Sequence, residues 1–152
     1  MIFVETRLDV ARPAAEVFAF VSDQTNAPLW QLGLHEVRRI TEGPIGVGTE
    51  HVFVRHFAGS RIESRNRFVR FDPVELFVEF EIPDGKITGK ASYRVEPIGA
   101  TRCRLISQMH FTVSGTGTPG HSTLVLVLKR DAARDDLTLK HLSETAPAPS
   151  RP

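Results

Sequence analysis

Six extended runs follow one another through residues 35–113: HEVRRIT, TEHVFVRHF, RIESRNRFVRF, VELFVEFEI, KITGKASYRVE and TRCRLISQMHFTV. Each is rich in Val, Ile, Phe and Thr, side chains that fit a pleated surface. The segments between them, GPIGVG, AGS, DP, PDG and PIGA, are short and built of turn-forming residues, as joins between neighbouring antiparallel strands are. A chain patterned this way is committed to an antiparallel meander. No glycine-rich phosphate loop leads from a strand into a helix, and the strand–helix alternation of a parallel sheet is missing.

The flanks complete the architecture. IFVETRLDV alternates Ile2, Val4, Thr6, Leu8 and Val10 with Phe3, Glu5, Arg7 and Asp9, the period of a half-buried strand. In ARPAAEVFAFVSD a first-turn Pro13 precedes an apolar stripe of Val17, Phe20 and Val21, which predicts a helix. NAPLWQLG, bounded by Asn26 and Gly33, reads either as a short second helix or as a loop. Beyond SGTGTPG, the segment HSTLVLVLKRDAARDDLTLKHLSE sets Leu124, Leu128, Ala132, Leu139 and Leu142 at helical spacing. A helix of about 22 residues is roughly 33 Å long, the length of a strand of about ten residues, so it can lie right across a sheet. The expected fold is α+β, a curved seven-stranded antiparallel sheet wrapped around a long C-terminal helix. Such an arrangement leaves a wedge between the layers, and its filling decides between solid core and cavity.

With 152 residues, 41% hydrophobic and 24% charged, the chain reads as one soluble domain over residues 1–144, followed by a disordered Pro-rich tail, TAPAPSRP, over 145–152. A formal net charge of +1 argues against a protein built to hold a nucleic-acid backbone and favours a small or neutral partner. Cys103 is the only cysteine, so no intrachain disulfide can form. The N-terminus lacks the pattern of a signal peptide, and no apolar run approaches about 18 residues. Stable membrane insertion is therefore not expected, and a cytoplasmic location follows by default. A homodimer is left open.

LDVARPAAEVFAFVSDQTNAPLW, GPIGVGTE, FVRFDP, YRVEPIGATR and DLTLKHLSE occur in that order. Together they resemble the polyketide cyclase/dehydrase branch of the START-like superfamily, whose helix-grip fold is shared with the birch pollen allergen and lipid-transfer proteins. The resemblance covers nearly the whole ordered chain. It implies a cavity for a small hydrophobic or aromatic ligand under the long helix, without implying one reaction, since members are binders and carriers as well as cyclases.

The candidate site residues follow from strand phase. If Val69 and Phe71 face inward, as FVRFDP implies, alternation carries Glu63, Arg65 and Arg67 inward as well. They would then pair or line a wet pocket, and Arg65 could hold a ligand carboxylate, enolate or phenolate. A β-bulge near Arg67 would instead bury Ile62 and Phe68 and put the charges in water. On the preceding strand the family pattern places His51, Phe53, Arg55 and Phe57 inward, which makes His51 a candidate general acid/base. Trp30 could cap one end of the cavity, Tyr93 could offer its hydroxyl, and Met109 and Phe111 would be wall or core. Asp131 and Asp135, with Arg130 and Arg134 beside them, read as a solvated helix face. His51 and His56 point to opposite faces, and no acidic or cysteine cluster completes a metal set, so no metal or other cofactor is expected. The first expectation is a binding or carrier module. The rival is a cyclase/dehydratase in which Arg65 or Arg67 steadies an enolate while His51 or Tyr93 moves a proton.

Overall fold

The computed structural model describes residues 1–57, 59–85, 87–114 and 121–145. Along them run β1 (Ile2–Val10), α1 (Ala14–Ser22), a 3-10 helix (Gln24–Leu29), β2 (Leu34–Arg39), β3 (Glu50–Phe57), β4 (Ser60–Asp72), β5 (Phe77–Ile82), β6 (Ile87–Gly99), β7 (Arg102–Val113) and α2 (His121–Thr145). The segment read as helix or loop thus begins within a six-residue 3-10 helix, with Pro28 inside it and the Asp23 side chain capping Thr25 N. The terminal helix runs through Thr145, where the sequence predicted a tail. The remainder of that tail, 146–152, lies outside the described residues.

The seven strands form one antiparallel sheet in the order β1-β7-β6-β5-β4-β3-β2. Strands β2 to β7 are the meander, and β1 closes onto β7 with Thr6 opposite Ser107. Consecutive strands β1 and β2 therefore sit at opposite edges, and the chain between them, α1 and the 3-10 helix, has to cross the concave face. The sheet can bend sharply where β6 and β7 meet because residue 89 is glycine. Its φ is +151°, and a Cβ there would lie 2.0 Å from the His110 carbonyl oxygen.

One irregularity decides the phase of β4. Pairing with β5 slips between Phe68 and Arg70, so Val69 is the extra residue of a bulge. Before it, Ile62, Asn66 and Phe68 are buried; beyond it, Phe71 returns to the inner face and stacks on Phe68 and Phe18 at ring distances of 6.5 and 5.8 Å. Because the bulge resets the alternation, Phe71 can be inward while Glu63, Arg65 and Arg67 are exposed on the outer face.

Packing on the concave face falls into three groups. α1 brings Val17, Phe18 and Val21 against Phe68, Val78, Phe80, Val95 and Leu105, with Leu139 of α2 on the same cluster. The N-terminal half of α2 covers Ile2, Val4 and Phe111 with Val125, Leu128 and Ala132. Ala27 of the 3-10 helix covers Leu34 and Phe53. Fully burying each such aliphatic or phenyl side chain contributes about 1.5–3 kcal/mol. Between the first two groups, α2 presents Asp135 and Asp136 instead of an apolar side chain, and the wedge is left unfilled there.

Candidate functional site

The unfilled wedge is a cavity of about 130 Å³. Its floor is the inner face of β1, β7 and β6, where Thr6, Ser107 and Tyr93 stand in one cross-strand row with Met109 beside them. α2 roofs it with Leu128, Ala132, Asp135 and Asp136. Trp30, Gln31, Gly33 and Leu34, leading out of the 3-10 helix, close one side, and Arg55 and His56 of β3 stand behind them. Since one water needs about 10–15 Å³ of such space, the cavity has room for roughly ten non-hydrogen atoms, a molecule of one or two rings.

Side chains lock the walls to one another. The Trp30 ring meets Tyr93 edge-on at 6.1 Å. Gln31 Nε2 donates to the Tyr93 hydroxyl at 3.4 Å, and the backbone N–H of Leu32 donates to Asp135 Oδ1 at 3.2 Å, which ties the segment after the 3-10 helix to both floor and roof. Burial pushes the Tyr93 phenol well above its ordinary value, and the nearby Asp136 carboxyl adds to the rise. Burial likewise raises the Asp136 carboxyl, which the Thr6 hydroxyl opposes and the Asp135 charge reinforces. Asp135 is raised by burial too, against the hydrogen bond from Leu32 N–H.

Two arginines line the cavity, Arg134, which is held by Asp131 and Asp135, and Arg55. The Arg55 guanidinium lies 5.7 Å from the centre of the Phe53 ring. It makes no ion pair or hydrogen bond with any described residue. Desolvation pulls it below the ordinary arginine value, while Tyr93 and Asp135 favour its charge. A guanidinium with a planar fork of unused donors is chemically able to receive an oxygen anion or a carbonyl.

Of the candidates drawn from the sequence, Trp30, Arg55, Tyr93 and Met109 line the cavity. Phe53 and Phe111 belong to packed clusters at its sides. His51 is fully buried, with its ring 5.7 Å from Phe68 and 6.3 Å from Phe53, about 13 Å along β3 from Arg55 at the usual rise per residue. It does not reach the cavity and cannot exchange protons with a ligand there. Glu63, Arg65 and Arg67 are outside, where Arg67 pairs with Glu81 and Arg38 lies 4.0 Å from Glu63. The bulge at Val69 is the reason. Of the rival arrangement, in which Arg65 or Arg67 steadies an enolate while His51 or Tyr93 moves a proton, the arginines and His51 lie away from the cavity and only Tyr93 lines it.

Sequence reasoning missed Asp136, Asp135, Thr6, Ser107 and Gln31. Asp135 was read as part of a solvated face; its side chain is only 17% exposed and lines the cavity. The signal was present: the stripe Leu124, Leu128, Ala132, Leu139, Leu142 skips one turn, and Asp135-Asp136 stand in the gap. Among the described residues, no helix is long and apolar enough to cross a membrane.

Comparison with protein families matches residues 1–143 to the model described as polyketide cyclase / dehydrase and lipid transport. No curated protein matches the sequence. Among solved structures, the chain is similar to the Zhui aromatase/cyclase from Streptomyces sp. R1128, with a TM-score of 0.80 at 17% identity over 94% of this chain and 93% of that one. A START superfamily protein from Mycobacterium smegmatis gives 0.76 at 16% identity, over 93% and 97%. The di-domain ARO/CYC BexL from the BE-7585A biosynthetic pathway gives 0.71 at 18% identity, over 93% of this chain and 46% of that one. At such identities the likeness is one of fold.

Proposed function

The chain belongs to the polyketide cyclase / dehydrase and lipid transport family, and from that premise we propose that it binds a small aromatic or unsaturated molecule, with an acidic or carbonyl oxygen of the ligand on Arg55. The carrying observation is the partnerless Arg55 guanidinium in an otherwise mostly apolar cavity. A desolvated guanidinium with unused donors is costly to the free protein even with the Asp135 charge nearby, and a ligand oxygen that takes those donors recovers part of that cost on binding. Trp30, Met109 and Leu128 supply the apolar contacts, and Tyr93 a hydroxyl. The volume favours one or two rings over a long acyl chain or a many-ringed compound.

The family description is compatible with binding or with cyclase chemistry. A second reading, that the site catalyses a cyclisation or dehydration, draws on a specific observation. Asp136 and Tyr93, both held toward their neutral, proton-donating forms by burial, face the same space as Arg55. In that reading Arg55 steadies an enolate and Asp136 or Tyr93 supplies the proton. The family resemblance to the Zhui aromatase/cyclase supports it only as analogy.

Matched pairs of ligands test the first reading. A charge-assisted hydrogen bond is worth about 1.5–3 kcal/mol, so 2-naphthoate should bind roughly tenfold or more tightly than 2-naphthamide in calorimetric titration, and Arg55→Met should erase the difference. Equal affinity for acid and amide in the unmodified protein would remove the role given to Arg55. Conversion of a bound enone or polyketone mimic, lost in Asp136→Asn with binding retained, would establish the second reading.

A further inference from the structure

A second polar group lies on the same concave face, away from the cavity. Strand register sets Arg39 of β2, His51 of β3 and Asn66 of β4 in one cross-strand row. At the junction of α1 and the 3-10 helix, the Asp23 charge is felt at His51, and Ser22 and Gln24 flank Asp23 in the chain. Ser22, Gln24, His51 and Asn66 are each at least nine-tenths buried. Among the described residues, the Ser22 hydroxyl, Gln24 Oε1, both His51 ring nitrogens, Asn66 Oδ1 and Arg39 Nε find no well-formed hydrogen bond.

We propose that this cluster is a pH-sensitive latch: protonation of His51 releases the 3-10 helix from the sheet and opens the Trp30 end of the cavity. The neutral imidazole fits between Phe53 and Phe68, where its flat ring packs like a phenyl group. The imidazolium does not. It would stand beside the Arg39 guanidinium, a second cation in a buried space. Asn66 Oδ1 can accept one of its two N–H groups. The carboxylate whose charge acts on it, Asp23, already accepts from Thr25 N at 3.1 Å and Thr25 Oγ1 at 2.6 Å as the cap of the 3-10 helix. Drawing Asp23 onto His51 would take that cap away. Burial first, and Arg39 second, hold the His51 pKa below its ordinary value.

The strain is relieved at the weakest cover. β3 and β4 are central strands paired on both sides, whereas the 3-10 helix is six residues long and its geometry is intrinsically poor. Trp30 terminates that helix through its N–H to the Ala27 carbonyl, and its ring lines the cavity against Tyr93. Lifting the helix therefore moves Trp30. The latch does not depend on what the cavity holds.

Trp30 is the chain's one tryptophan and reports its own exposure. Acrylamide quenching of its fluorescence, followed with far-ultraviolet circular dichroism from pH 8 to pH 5, should rise several-fold with a midpoint below about 6.5 while the secondary-structure signal holds. His51→Gln should abolish the rise; if that variant is not folded at pH 8, His51→Phe is read in its place. His56→Gln, which removes the histidine at the cavity, should leave the rise intact. A flat profile in the unmodified protein overturns the proposal. So does a rise that survives loss of His51, one that disappears with His56, or one that coincides with loss of secondary structure.

Discussion

His51 and Arg55 share one face of β3, four residues apart, and their fates differ completely. His51 is sealed among Phe53, Phe68 and the α1–3-10 junction, and Arg55 looks into a cavity. The strand treats them alike; what covers them does not. Around His51 stand Phe53 and Phe68, the former covered by Ala27 of the 3-10 helix, and the Asp23 charge at the end of α1 is felt there. Over Arg55, α2 turns Asp135 and Asp136 inward where an apolar residue would have filled the space. The concave face of this sheet thus carries polar groups in two places between its apolar clusters, and what covers them decides which can meet a ligand.

The largest effect should come from opening the sealed end. Phe68 is 1% exposed and stacks with Phe71 and Phe80 beside His51. Phe68→Ala should cost about 3–5 kcal/mol in denaturant unfolding, and it should make His51 reachable, so that the two ends of β3 become alike. A loss near zero would mean that the sealed end is not packed as described.

At the cavity end, substitution should run the other way. Burial holds the Asp136 carboxyl above its unfolded value, so the folded state binds the proton more tightly than the unfolded chain does. That carboxyl favours folding when protonated, at pH below its unfolded pKa, and the benefit disappears as pH rises through the folded value. Asp136→Asn should accordingly stabilise the protein by about 1–2 kcal/mol at pH 7, with the gain shrinking toward pH 3. A destabilised variant at pH 7 would show that the carboxylate, not the acid, is what the cavity wants.

His51 supplies the contrasting pH dependence. Its folded pKa lies below the unfolded one, so the unfolded chain takes up protons first as pH falls. Stability is full above the unfolded value, near 6.5, and declines as pH drops from there toward the folded value. His51→Phe should flatten that decline between pH 7 and pH 5 in thermal melts, changing stability at pH 8 by about 1 kcal/mol or less. An unchanged slope would locate the acid sensitivity elsewhere.

The smallest effect belongs to the outer face. Arg65→Ala and Arg67→Ala should leave the affinity for a naphthoate probe unchanged, because both side chains are exposed across the sheet from the cavity. Any loss beyond about twofold would bring the outer face back into the site.

These contrasts also show what was legible in the chain. The meander, the crossing segment and the long terminal helix followed from alternation and turn composition, since each signal is local. The phase of β4 was legible only as a choice, because Glu63, Arg65, Arg67, Val69 and Phe71 share a face in a regular strand and a single unpaired residue separates them. Trp30, Arg55, Tyr93 and Met109 were found by following phase and the family pattern together. Asp135 was missed because an aspartate next to arginines on a helix reads as solvated, and the interrupted leucine stripe that would point to Asp136 carries weight only once the cavity beneath it is known. His51 shares the inner face with Arg55, but its seal of Phe53 and Phe68 depends on the phase of β4, which the sequence left open.

The most direct measurement is a crystal structure with 2-naphthoate bound. The account predicts the ring system between Trp30 and Met109, beneath α2, with the carboxylate on the Arg55 guanidinium. A ligand seated elsewhere, or held in this cavity with its carboxylate turned away from Arg55, would contradict it.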